Sequence, residues 1–179
     1  MSSHGRKRHM KRIAMPRAYP IARKKFVFVK KPSSGRHPLD ASMSISVVLC
    51  DVMNLCASMS EAKKAIGAGL VLIDGLKANS AKQPVGLMDV LSLPSLKKSF
   101  LILIEKQKLV LKPTGNSKEK YCKIIGKQLI KGGKTQLSFH DGRTVLAGKV
   151  EAKFALGDTV KLSIPGQKVV SYIKLEKGS

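Results

Sequence analysis

A chain of 179 residues can hold one domain, or two small ones with a tail. It carries 34 Lys and Arg against 11 Asp and Glu, a formal net charge of +23, and 43% of its residues are hydrophobic. The apolar share excludes a simply disordered basic peptide, and self-repulsion at that charge points to a polyanionic partner, of which nucleic acid is the abundant kind. Aromatics are only 4% and Trp is absent, so the cores are expected to be aliphatic, and binding through aromatic stacking has little support from composition. Cys50, Cys56 and Cys122 give an odd count with no CxxC pair, which reads as reduced thiols in a reducing compartment rather than a disulfide frame or a zinc site. No apolar run reaches the roughly 20 residues of a membrane span. The basic N-terminus leads into no signal-peptide core, so a cytoplasmic location is expected.

Residues 1–41 hold most of the concentrated charge. Arg6, Lys7, Arg8, Lys11, Arg12, Arg17, Arg23, Lys24, Lys25, Lys30, Lys31 and Arg36 face one acid, Asp40. Pro16, Pro20, Pro32 and Pro38 deny the segment a continuous helix. It reads as an extended arm with a short apolar anchor at Phe26–Val29, disordered alone in water and ordered against phosphates.

From residue 42 the texture changes. Ile45, Val48, Leu49, Val52 and Cys56 recur at helical spacing and predict an amphipathic helix. Ser58 and Glu61 form a capping box that starts a second helix, and Gly69 stands where a left-handed residue would end it. Leu70–Ile73 predicts a strand, Asp74-Gly75 a two-residue hairpin turn, Leu76–Ala78 its return, and Met88–Leu93 a further strand. Two helices on a small sheet give a unit over 42–94, near the lower size limit for independent stability.

Beyond Pro94 every signal is β. Short runs at 100–104, 109–111, 121–125, 129–130, 135–139, 144–146, 158–164 and 168–175 alternate with Gly115-Asn116, Gly132-Gly133 and Asp141-Gly142 turns. They predict a small barrel-like domain over 95–175 with a short tail at 176–179. The fold class expected is therefore α+β: basic arm, helix pair on a small sheet, then an all-β domain.

Catalytic patterns are scarce. Neighbours on a strand point to opposite faces, so His140 and Asp141 cannot act as a base and its orienter, and Asp141-Gly142 reads as a turn. There is no nucleophile elbow, phosphate loop or zinc signature. The Gly132-Gly133 run lacks the spacing to cradle phosphate. No catalytic residue, cofactor or metal is expected. Lys63 and Lys64 stand out instead, as two cations on a short helix free to meet phosphates or solvent.

The run Ser60 to Gly75 (Ser-Glu-Ala-Lys-Lys-Ala-Ile-Gly-Ala-Gly-Leu-Val-Leu-Ile-Asp-Gly) and the segment Pro84 to Leu93 resemble the S4-type RNA-binding domain. His9 to Pro16 and Lys31 to His37 are similar to the opening of the S4e ribosomal proteins of archaea and eukaryotes. Tyr121 to Ile124, His140 to Val145 and Gly157 to Leu162 are similar to their central β domain. The likeness covers nearly the whole chain in order. Two departures stand out: Glu61 occupies the position where many S4-type domains carry arginine, and the chain stops at Ser179, about where the family's C-terminal KOW domain begins.

The resemblance implies a structural constituent of the small ribosomal subunit, bound to its ribosomal RNA and to neighbouring subunit proteins, with no membrane and no small-molecule substrate. It implies RNA contacts at Lys63, Lys64 and Lys77 and along the arm. The full set of candidate RNA-binding residues is Arg6, Lys7, Arg8, His9, Lys11, Arg12, Arg17, Arg23, Lys24, Lys25, Lys30, Lys31, Arg36, His37, Lys63, Lys64, Lys77 and Arg143. The alternative readings are an RNA-modifying enzyme or a free regulatory RNA-binding protein that uses the same domain.

Overall fold

The computed structural model of the chain describes residues 9–148 and 154–176. From His9 onward the arm is part of the fold. Strands β1 (Met10–Lys11) and β2 (Phe28–Val29) pair antiparallel, and the chain between them begins with a single 3-10 turn, Arg12–Ala14. Met10, Met15, Tyr19 and Val29 are buried in the first hydrophobic core. These four side chains turn an expected disordered arm into part of the fold. Of the anchor expected at 26–29, only Val29 is buried; Phe26, Val27 and Phe28 are more than half exposed.

Strand β3 (Ser42–Ser44) pairs with β6 (Pro84–Gly86) and leads into helix α1 (Ile45–Val47). That helix continues as a π-helical stretch, Val48–Val52, and is over before Cys56, because Asn54 takes a left-handed φ of 52°. Helix α2 (Met59–Gly67) follows. Ser58 Oγ accepts from the Glu61 N–H at 3.2 Å, and Glu61 Oε2 reaches back to the Ala57 N–H at 2.8 Å, one residue earlier than the standard box. Gly69 ends the helix at φ 74°.

Strands β4 (Leu72–Ile73) and β5 (Leu76–Lys77) are joined by Asp74 and Gly75 at φ 51° and 75°, the left-handed pair of a type I′ turn. Strand β7 (Val90–Leu93) completes the small sheet expected from sequence. The next hairpin, β8 (Lys98–Glu105) and β9 (Lys108–Pro113), pairs onto β7, giving a five-stranded antiparallel order β5-β4-β7-β8-β9. Ile102 and Leu109 are fully buried in the first core, each contributing on the order of 2 kcal/mol. The sequence division at residue 95 therefore departs from the hydrogen bonding: 98–113 pairs with the sheet before it.

The second sheet has the order β12-β11-β10-β13-β14, all antiparallel. Its long strand β10 (Glu119–Ile130) joins two runs that the sequence suggested separately. It pairs with β13 (Thr159–Ser163) over its first half and with β11 (Lys134–Phe139) over its second, with a bulge between Ile124 and Gly126. A bulge increases twist and bends the strand, so the sheet curves around Cys122, Ile124, Leu137, Phe139, Val160 and Leu162. Strands β12 (Thr144–Ala147) and β14 (Val169–Ile173) end the order and do not pair with each other among the described residues. Among the described residues the expected barrel-like domain is a curved five-stranded sheet.

Candidate nucleic-acid interface

The structure divides the predicted cations into two populations. His9, Lys11, Arg17, Lys24, Lys25, Lys30, Lys63, Lys64 and Lys77 are exposed. The Lys77 stem would lie 3.3 Å from a Cβ placed on Gly69, just past α2, so Lys77 sits at the end of the helix that carries Lys63 and Lys64. Arg6, Lys7 and Arg8 lie outside the described residues. Lys31 is half-buried.

The second population is structural. Arg12 is buried; its Nε donates to the Ala22 carbonyl at 2.6 Å and its guanidinium meets Asp51 Oδ1 at 3.1 Å. Arg23 donates to the carbonyls of Ile13, Met15 and Pro16 at 2.8, 2.9 and 3.4 Å, so it ties the arm to itself. His37 and Arg143 are also buried. For Arg12, His37 and Arg143 the RNA-contacting role expected from sequence is corrected: a side chain held inside the protein by carboxylates and carbonyls cannot reach a phosphate.

His37, Arg143 and the half-buried Arg36 belong to an ionic cluster where the arm and both sheets meet. Lys120 of β10, fully buried, lies 3.1 Å from Asp74 Oδ2, 2.5 Å from Asp89 Oδ1 and 3.0 Å from Asp141 Oδ2. Arg143 bonds to Asp74 and lies 3.1 Å from Asp141 Oδ2. Arg36 meets Asp74 Oδ2 at 3.1 Å, and His37 Nε2 meets Asp89 Oδ2 at 2.9 Å. Asp89 also accepts from the Gly86 N–H at 2.9 Å, and Asp74 accepts from the Val90 N–H at 3.0 Å. Three cations (Arg36, Lys120, Arg143) thus match three carboxylates (Asp74, Asp89, Asp141).

The cluster's titration follows from this geometry. Burial disfavours the Lys120 ammonium, but Asp89, Asp74 and Asp141 outweigh it and hold the lysine above its ordinary value. Burial also opposes ionisation of Asp89, yet the hydrogen bond from His37 and the charge of Lys120 keep it well below the usual carboxylate range. Asp141 is lowered as well: Lys120 and Arg143 overcome its burial. Asp74 is raised, because burial and the neighbouring Asp89 charge exceed the help of Lys120 and Arg143.

Close packing surrounds the same residues. A Cβ on Gly86 would meet the His37 ring at 2.6 Å, and one on Gly142 would lie 3.0 Å from the Arg36 carbonyl oxygen. His140 is not part of an acid–base pair. Its Nδ1 accepts from the Lys123 N–H at 3.1 Å, whereas Asp141 is committed to Lys120 and Arg143. No group of three or more metal-ligating side chains occurs among the described residues.

Sequence reasoning missed two things. One is the cluster itself: Asp74 and Asp141 were absorbed by their Asp-Gly turn signals, and Lys120 hid among 34 cations. The parity of β10 was the available signal, since Lys120 shares its inward face with Cys122 and Ile124. The other is a set of exposed lysines beyond the candidates, among them Lys123, Lys131 and Lys134 along the β10–β11 hairpin and Lys97 and Lys98 at the start of β8.

Three family models match successive parts of the chain. The family model "Ribosomal family S4e" matches residues 97–169, "S4 domain" matches 46–91, and "RS4NT (NUC023) domain" matches 4–40. The chain is 40% identical over 185 residues to the small ribosomal subunit protein eS4 of Methanococcus maripaludis (strain C5), covering 99% of this chain and 76% of that protein. It is 39% identical over 186 residues to the protein of the same name from Methanocaldococcus jannaschii, with the same coverage. Among solved structures, the crystal structure of the 30S ribosomal protein S4e from Thermoplasma acidophilum superposes with a TM-score of 0.64 at 29% identity, covering 76% of this chain and 71% of that one.

Proposed function

This chain belongs to the ribosomal family S4e, and from that membership we propose that it is a structural constituent of the small ribosomal subunit, binding ribosomal RNA and supporting subunit assembly and translation in the cytoplasm. Its partners are small-subunit ribosomal RNA and adjacent subunit proteins. The observation that carries the reading is the separation of charge. Asp74, Asp89 and Asp141 are withdrawn into a cluster with as many cations, so the excess of +23 remains outside that cluster. Lys11, Arg17, Lys24, Lys25 and Lys30 on the arm, with Lys63 and Lys64 on α2 and Lys77 at its end, present cations to phosphate. Binding proceeds by neutralisation of phosphates and by recognition of RNA shape, with the arm already anchored at both ends.

The test is binding of the full chain to small-subunit RNA across a salt series. If ten phosphates are neutralised, log affinity falls with log salt at a slope of about −7 to −9; a flat dependence contradicts the mechanism. Sedimentation of source-cell lysate after a high-salt wash separates the alternatives. Stoichiometric migration with small subunits supports the structural role, and migration near the top of the gradient favours a free regulator or a modifying enzyme.

A further inference from the structure

The arm carries a feature that phosphate binding does not use. The chain has five Phe, three Tyr and no Trp, yet two of the five Phe stand two residues apart on the arm, Phe26 and Phe28, each 58% exposed. Val27 between them and Ile13 are more exposed still. Apolar side chains left in solvent this close together on one short segment mark a candidate binding surface.

This patch is held in place. Phe28 sits in the β1–β2 ladder opposite Lys11, and the Arg12 N–H donates to the Val27 carbonyl at 2.9 Å. Behind Phe26 lies the Arg12 guanidinium, its carbon 5.3 Å from the ring centroid and itself pinned by Ala22 and Asp51. The His9 ring meets Phe28 edge-on at 6.1 Å. Each ring thus has a neighbouring side chain against it, Lys25 Nζ also lying 5.6 Å from the Phe26 centroid, and each remains more than half exposed.

We propose that Phe26 and Phe28 form a stacking platform for an unpaired base of the bound RNA, beside a cleft of about 820 Å³ that also exposes Lys25 and Asn54. This site rests on the RNA-binding role proposed above and adds to it a recognition mode that charge alone does not supply. The cleft volume is that of a small-molecule site and admits a single nucleotide. Charge decides the occupant. Lys11 pairs opposite Phe28, Lys25 Nζ lies 5.6 Å from the Phe26 centroid, and Lys24 and Lys30 are exposed on the same short segment, while the acid lining the cleft, Asp51, is neutralised by Arg12. Protein interfaces are depleted of lysine, whereas an unpaired nucleotide offers a flat π-face to the rings and a phosphate to the lysines.

The experiment measures affinity of the full-length chain for small-subunit RNA over a salt series, for wild type, Phe26→Ala/Phe28→Ala, Phe26→Leu/Phe28→Leu and Phe26→Tyr/Phe28→Tyr. Loss of one stacked base is expected to weaken binding about 5- to 150-fold in the Ala variant at every salt concentration. The slope of log affinity against log salt is expected to stay that of wild type, because no phosphate contact is removed. Tyr restores affinity and Leu does not. Since the rings are exposed, the thermal midpoint of the free protein should not move, which separates lost binding from lost folding. An Ala variant that binds as tightly as wild type overturns the platform and leaves the RNA-binding role standing. Full rescue by Leu also overturns it, because it would show that apolar bulk suffices and no ring stacks on a base. A wild-type chain that does not bind the RNA overturns the role proposed above, and this site with it.

Discussion

Replacing Lys120 with Met tests whether the buried cluster holds the arm and the two sheets together. Met has similar volume, so little cavity forms, and the change removes one charge from a balanced set of three cations and three carboxylates. Asp74, Asp89 and Asp141 then face only Arg36, Arg143 and His37. Removing one partner of a buried ion pair typically costs about 3–5 kcal/mol, because the charges left behind stay desolvated. For a chain of this size each kcal/mol moves the melting temperature by about 2–4 °C, so a fall of about 6–20 °C is expected. The pH dependence is the sharper readout. Lys120 is raised above its ordinary value in the fold, so its stabilisation is fully present below about pH 10.5 and is lost only as pH climbs through the folded value; wild type gains nothing from it between pH 7 and pH 5. Without Lys120, one of the crowded carboxylates must have its folded value lifted above its unfolded one, so acidification favours the folded variant. Each unit by which that value stands above 5 returns about 1.4 kcal/mol between pH 7 and pH 5. Urea unfolding followed by circular dichroism, at both pH values, measures the deficit directly. A deficit below about 1 kcal/mol at pH 7, or one that grows at pH 5, refutes the argument.

Two further substitutions probe the arm's anchors. Arg12→Ala removes the bond to the Ala22 carbonyl and leaves Asp51 without its cation; a local cost of about 2–3 kcal/mol should raise trypsin cleavage at Lys24 or Lys25 by at least about tenfold, and unchanged cleavage would show that the arm is held elsewhere. Gly142→Ala places a Cβ 3.0 Å from the Arg36 backbone oxygen at a φ of 74°; left-handed strain alone costs about 1–2 kcal/mol, so the urea midpoint should drop, and a midpoint equal to wild type would mean that the arm yields there freely.

Local chemistry was legible in the sequence wherever a residue's meaning does not depend on distant neighbours. Ser58, Glu61 and Gly69 mark the ends of α2, and Asp74-Gly75 specifies its turn, because caps and type I′ turns are settled within a few residues. Strands β3 and β6 escaped notice because both are three residues long and wholly buried, so neither shows alternation. The placement of β8 and β9 escaped for another reason: Ile102 and Leu109 are apolar enough for either core, and it is the pairing of β7 with β8 that assigns them to the first. Charge misled most at the arm. Arg12 and Arg17 look alike in sequence, yet one is buried against Asp51 and the other is exposed. What separates them is a carboxylate 39 residues away, which no local pattern reports.

That long-range pairing bears on how RNA is met. Fixing the backbone of a residue costs about 1–2 kcal/mol, so an arm that ordered only on RNA would subtract that cost, residue by residue, from its phosphate contacts. Here the segment from Lys11 to Lys30 is tied at its start by the β1–β2 ladder and Arg12, and just beyond its end by Arg36 and His37 at the buried carboxylates. Much of the ordering is therefore complete before RNA arrives, and the exposed cations between the ties are presented on a fixed backbone. The acids make this possible by their position rather than their number. Moved to the surface, Asp74, Asp89 and Asp141 would weaken the field that attracts the polyanion; inside, they hold Lys120 and Arg143 between the two sheets and bind the arm to both.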